Sequence, residues 1–186
     1  MSATIRRATP ADAAALAAMA RETFVDAFGA DNRPEDMQAY TSAAFGEAQQ
    51  LREIADPGVV TLLGVAAGFS RPNGGPAEAG PYTEAGPCAE LIAYAQLRRT
   101  PGSPHGEVEL ARFYVRRGHH GRGVAQELMS AVLKEARAAR VWLGVWERNA
   151  RAIAFYRKCG FEQCATQPFL LGSDLQNDWI MARTNL

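Results

Sequence analysis

The sequence predicts a mixed α/β domain, one central sheet with helices on both faces. Three observations predict it. Short apolar or alternating runs of strand length recur along the chain, and stretches with apolar residues at i, i+4 and i+7 interleave with them. The chain's 186 residues, 47% hydrophobic and 22% charged, are enough for one substantial core and leave little room for two. A single domain over residues 1–186 is therefore expected.

The elements follow in order. TIRR (4–7) reads as a short strand, and Thr9-Pro10 opens a helix to about Thr23, since proline is tolerated in a first turn. Helical stretches follow at 34–45 and 47–54, separated by Gly46. VVTLLGVAAG (59–68) is apolar, carries β-branched residues and has the length of a buried strand. FSRPNGGPAEAGPYTEAGPC (69–88) is rich in glycine and proline with little to bury, and is read as a hairpin tip rather than a domain linker. Its returning strand is ELIAYAQL (90–97), and EVELARFYV (107–115) is strand-like again. A helix at about 122–139, the strand VWLGVW (141–146), a helix at 149–158 stopped by Gly160, and strands near 161–169 and 176–184 complete the chain.

Charge and composition exclude several function classes. Twenty basic and twenty acidic side chains cancel, so nothing global draws the protein to nucleic acid or an anionic membrane, and a charged substrate must be selected locally. The N-terminal MSATIRRATPADAAALAAMA lacks the layout of a secretory signal, and no run of about 18 apolar residues occurs, so a cytoplasmic location is expected. Cys88, Cys159 and Cys164 are odd in number and form no C-x-x-C pair, which predicts reduced thiols and no structural metal. His119 and His120 are adjacent without an H-E-x-x-H pattern, so no metal site is expected there either.

The turn HHGRGVAQELM (119–129) carries the chemistry. Behind it, Val124, Leu128, Ala131, Val132 and Ala136 form one apolar face that fixes the helix against the sheet. A helix start leaves backbone N–H groups unpaired and partly positive, and small residues at Gly121, Gly123 and Ala125 let an anion approach them. A P-loop would need Lys then Ser or Thr where Val124 and Ala125 stand, and the Rossmann glycine spacing also fits poorly. His120-Gly121-Arg122-Gly123-Val124-Ala125 instead resembles the pyrophosphate loop of the GCN5-related N-acetyltransferases (GNAT), with His120 where Gln or Arg is usual. NARAIAFYRKCGF (149–161) resembles the second signature of that superfamily, in the expected order: an Asn, an apolar helix, Tyr156, then Gly-Phe. Residues 21–45, 141–161 and 175–184 are further similar to the PaiA-type polyamine N-acetyltransferases, with VWLGVWERN the most discriminating piece.

The resemblance implies a mostly antiparallel sheet of six to seven strands, splayed between the strands at 107–115 and 141–146. It implies acetyl-CoA as cosubstrate without a metal, and a primary amine, spermidine or spermine, as acceptor. Phe113, Tyr114 and Val115 would lie along the pantetheine arm, and backbone N–H groups of the splayed strand would hold its amides and the oxyanion of direct attack. His120, Gly121, Arg122, Gly123, Val124 and Ala125 would meet the pyrophosphate. Asn149 and Tyr156 would also contact the cofactor, Tyr156 protonating the departing thiolate. Arg122, Arg157 and Lys158 are surface cations available to its phosphates.

Elementary chemistry asks for a base as well. A lysine-like amine with a pKa of ~10.4 costs about 4.6 kcal/mol to deprotonate at pH 7. Strand alternation puts Glu107, Glu109, Ala111, Phe113 and Val115 on one face and Val108, Leu110, Arg112 and Tyr114 on the other. Glu109, six residues before Val115, is where the superfamily often places its base. Relay through water is expected, with Glu107 as substitute. Asn149 is also a natural N-cap. The acids Glu22, Asp26, Asp31, Glu35 and Asp36 make a face attractive to a polycation, and Trp142 and Trp146 share a strand face suited to core packing or cation-π contact. A homodimer is left open. The alternatives are acetylation of a protein α-amine or lysine and, in another class, a non-catalytic acyl-CoA-binding regulator.

Overall fold

The computed structural model describes residues 3–66, 90–137 and 139–184. The hairpin tip expected at 69–88, and Cys88 with it, lies outside these residues. Among the described residues, seven strands form one sheet: β1 (Ala3–Arg7), β2 (Val59–Ala66), β3 (Leu91–Arg99), β4 (Val108–Val115), β5 (Val141–Trp146), β6 (Glu162–Leu171) and β7 (Asp174–Arg183). Their order is β1-β2-β3-β4-β5-β7-β6, and every pairing is antiparallel except β4 with β5. Five α-helices accompany them: α1 (Ala13–Phe28), α2 (Pro34–Ala44), α3 (Glu47–Ala55), α4 (Val124–Ala136) and α5 (Ala150–Lys158).

Each sheet face has its own core. Leu128 and Val132 of α4 and Ile153 of α5 pack with Leu110, Val141 and Leu143 on one side. Leu16, Met19 and Phe24 of α1 pack with Phe45, Leu63 and Tyr94 on the other. The first helix runs five residues past its expected end at Thr23 because Phe24 continues the buried face, and Gly29 caps it. β6 and β7 run further than their patterns suggest and meet at Gly172-Ser173. There the buried carboxylate of Asp36 accepts a hydrogen bond from the Ser173 N–H at 2.8 Å. Gly172 has φ 60°, and a Cβ on it would fall 2.2 Å from Asp36 Oδ1, so this turn requires glycine.

The strict alternation expected for β4 is corrected by a bulge. Gln96 of β3 pairs with Arg112 but the next residue, Leu97, pairs with Leu110, leaving Ala111 as an extra residue. Val108 and Leu110 therefore face the α4 core, and beyond the bulge Phe113 and Val115 do so. Arg112 and Tyr114 turn to the opposite side, toward Glu53 of α3 and the core under α1. A bulge of this kind bends its strand, and this one lies just past the point where β4 leaves β5. Only two residue pairs, Val108 with Val141 and Glu109 with Trp142, join these strands before they diverge. Among the described residues no helix is long and apolar enough to cross a membrane.

Candidate active site

Where β4 and β5 part, a cleft of about 900 Å³ runs through the sheet. Its α4-side mouth is formed by Gly121, Gly123 and Ala125 at the start of α4, and by Asn149, Ala150, Arg151 and Ala152 at the start of α5. The far end is walled from α1, α2, β6 and β7. Phe113, Tyr114 and Val115 border it along β4, and because the ladder stops at Glu109, the β5-facing backbone groups beyond it have no partner strand.

The glycine turn is built to stay open. Gly121 has φ 73° and Gly123 φ 86°, conformations that glycine adopts without strain, and a Cβ at either position would meet nothing within 4 Å. Val124, by contrast, is fully buried, so its side chain anchors the helix while its backbone N–H belongs to the unpaired first turn. Asn149 caps α5 in fact, accepting from Ala152 N–H at 3.1 Å.

His120 is committed within the protein. Its Nε2 lies 2.8 Å from the Val115 carbonyl, which can only accept, so Nε2 carries the hydrogen. That leaves Nδ1 as acceptor for Arg151, 2.6 Å away. The ring thus ties the end of β4 to the start of α5 and steers the Arg151 guanidinium, a residue singled out by no sequence pattern although it sits inside the second quoted motif.

Tyr156 lines the cleft with its ring fixed by Phe113, Phe155 and Phe161, centroids 6.2, 5.7 and 5.9 Å away. Burial, aided by Cys159, pushes its hydroxyl well above the ordinary tyrosine range. Glu109 stands beside the point of divergence rather than on the cleft wall. Burial raises its carboxyl pKa, against the opposing pull of Arg98, whose Nη1 is 3.6 Å away, and of Arg112. Glu107 is exposed just before β4. Arg122, between the two mouth glycines, and Lys158 are exposed and do not line the cleft wall, and Arg157 lies over Trp179 at 5.5 Å.

The acidic face divides. Asp26 and Asp31 line the cleft, but Glu22 pairs with Arg116 at 3.1 Å, Glu35 with Arg33 at 3.0 Å, and Asp36 clamps the β6-β7 turn. The tryptophans divide too. Trp146 lines the cleft, edge-on to Phe28, whereas Trp142 donates to Thr100 Oγ1 at 3.0 Å and packs against His105. Asp178 of β7 also lines the cleft, and sequence reasoning missed it. Period-two alternation carries it to the face of Trp146, but only the observed β5-β7 register shows that. Among the described residues no cluster of three or more potential metal ligands occurs.

Residues 82–161 match the Acetyltransferase (GNAT) family. An uncharacterized N-acetyltransferase of Mycobacterium tuberculosis is 34% identical over 175 residues, covering 92% of this chain and 97% of that protein. The spermine/spermidine N(1)-acetyltransferase of Bacillus subtilis is 27% identical over 81 residues, 39% of this chain and 53% of that one. In fold, the chain is similar to the PaiA N-acetyltransferase from Thermoplasma acidophilum in complex with coenzyme A, with TM-score 0.71, 18% identity and 99% of both chains covered. Splayed sheet, glycine turn and these relatives together define an acyltransferase. The chain belongs to the GNAT acetyltransferase family.

Proposed function

We propose that the protein is a single-domain, cytoplasmic enzyme that transfers acetyl from acetyl-CoA directly to a primary amine, with a polyamine of the spermidine or spermine kind as acceptor. The observation that carries the reading is the cleft itself: a strand splay with an open, glycine-lined helix start at one end and an aromatic, acidic compartment at the other. The short match to the Bacillus spermine/spermidine enzyme and the PaiA-like fold support the choice of acceptor.

Acetyl-CoA supplies an activated thioester carbonyl. The residues fit it: the first-turn N–H groups of α4 behind Gly121 and Gly123, with Arg151 steered by His120, suit a pyrophosphate, and the unpaired backbone of Phe113, Tyr114 and Val115 suits an amide-bearing arm. Asn149 and Ala125 border the same mouth. Tyr156 holds a proton at its hydroxyl for the leaving sulfur. Glu109 takes the amine's proton through water, since its carboxylate stands off the cleft wall.

The test is an acceptor screen with free-thiol detection, using spermidine, lysine, small monoamines and peptides. Steady thiol release with spermidine is expected; release with peptides alone, or acetyl-CoA binding without turnover of any amine, would overturn the reading. For Glu109→Gln, kcat is expected to drop about 100-fold. A raised carboxyl pKa means that wild-type activity is lost as pH falls through it, so this acid limb disappears in the variant. Unchanged kcat and pH profile remove Glu109 from the mechanism.

A further inference from the structure

The far compartment of the cleft is walled by the rings of Phe28, Tyr40, Trp146 and Phe169. One carboxylate from the sheet stands among them. Asp178 of β7 sits opposite Trp146 in the β5-β7 ladder and opposite Gln167 in the β6-β7 ladder. Gly144 of β5 is what opens it to the cleft: a Cβ there would lie 3.3 Å from Asp178 Oδ2 and 3.5 Å from Gln167 Nε2, so any side chain would crowd the carboxylate. The bare backbone of Gly144 is itself exposed and part of the cleft wall.

Among the described residues nothing balances this charge. The half-buried Asp178 carboxylate makes no hydrogen bond or ion pair among the described residues, and the groups that face it are Gln167, the Tyr40 phenol from α2 and, beyond β5, the like-charged Glu147. Arg148, the cation closest in sequence to Trp146, lies over that indole at 5.8 Å instead. Burial first, and Glu147 second, push the Asp178 carboxyl up to about 6. An unbalanced carboxylate between aromatic faces is the chemistry that receives a cation, by a charge-assisted hydrogen bond and cation-π attraction together.

We propose that Asp178 is the specificity-determining residue for the acceptor, pairing with a protonated amino group while the aliphatic chain lies along the aromatic walls and a second amino group, which gives up its proton there, reaches the strand splay. The acceptor class is then an aliphatic amine carrying at least two amino groups. The inference rests on the amine N-acetyltransferase reading and deepens it. Gly144 is the positioning element that keeps the carboxylate open.

Steady-state kinetics of the full chain with spermidine and with n-butylamine test this, alongside thermal melting at pH 7.5. In Asp178→Asn the KM for spermidine is expected to rise about 10- to 100-fold, the worth of one hydrogen bond to a charged group. The effect on kcat and on the KM for butylamine is expected to be far smaller. Melting moves the other way. With a folded pKa of about 6 against an ordinary 3.8, the proton on Asp178 stabilises the fold fully below 3.8, and this is lost as pH rises through about 6. At pH 7.5 the variant should therefore melt about 2–4 °C higher, after discounting for partial exposure. A merely structural aspartate would give lower melting and equal losses with both amines.

Gly144→Ala supplies the second variant. It should raise the spermidine KM without removing the charge. Both variants with a spermidine KM within twofold of wild type overturn the assignment of Asp178 alone. A wild type that acetylates neither amine overturns the transfer reading and this assignment together.

Discussion

Tyr156→Phe is expected to lower kcat about 100-fold with little change in melting temperature. The substitution removes one oxygen and nothing else. Phe113, Phe155 and Phe161 hold the ring edge-on, and phenylalanine fills the same space. The direction of the hydroxyl's pKa decides what that oxygen can do. Burial raises it above 10, so the group is fully protonated across pH 7–9 and is poorly suited to act as a base. A thiol of pKa near 8.5 leaves as an anion that must be protonated or stabilised, and a neutral phenol on the cleft wall offers its hydrogen only as that charge develops. General acids contribute ~100-fold or more. Thiol-release kinetics at saturating acetyl-CoA and amine provide the measurement. A loss of less than about twofold would remove the role, and a large drop in melting temperature would reassign the residue to packing.

What the sequence shows and what it hides have a common cause. The apolar stripe of α4, the strand VWLGVW and the cap at Asn149 depend on residues within a few positions of one another, and each stands where the local pattern puts it. The open glycines of the turn are legible for the same reason. Long-range pairing is different. The bulge at Ala111 exists only because Gln96 and Leu97 pair on either side of it, and it sends Arg112 and Tyr114 to the face that alternation denies them. Asp178 reaches the cleft through a register between β5 and β7 that no local pattern specifies. A charge in the sequence does not show its neighbours in space: Arg116 pairs with Glu90 and with Glu22, one of the acids of the face expected to attract a polycation. His120 lines the cleft and also braces Arg151, a role that no local pattern shows because its partners Val115 and Arg151 come from two other elements.

The bulge also carries the largest expected effect on stability. Glu53→Ala should destabilise the fold by about 3–5 kcal/mol, the cost of leaving a buried charge without its partner. Glu53 of α3 is buried and accepts from both terminal nitrogens of Arg112, at 2.6 and 3.1 Å. It accepts further from Gln96 at 3.0 Å and Gln49 at 2.9 Å. Burial alone would raise the Glu53 pKa, but the Gln96 hydrogen bond, the Arg112 charge and the Gln49 hydrogen bond outweigh it, and the net direction is down. Arg112 is correspondingly boxed in, over the Phe45 ring at 5.0 Å, and has no second carboxylate within ion-pair distance among the described residues. Removing Glu53 therefore strands the guanidinium beside the bulge, which predicts lower stability and a misplaced β4 together. At about 2–4 °C per kcal/mol for a chain of this size, melting should fall by roughly 6–20 °C. Because the Glu53 pKa is depressed, the pair stabilises the fold fully above the ordinary glutamate range and loses that contribution as pH falls through the folded value. The melting deficit of the variant should accordingly shrink toward acid pH. Glu53→Gln, which keeps the side chain's shape and one acceptor, should recover part of the loss. A Glu53→Ala chain that melts within about 2 °C of wild type would show that the ion pair is not what holds Arg112 and the bulge in place.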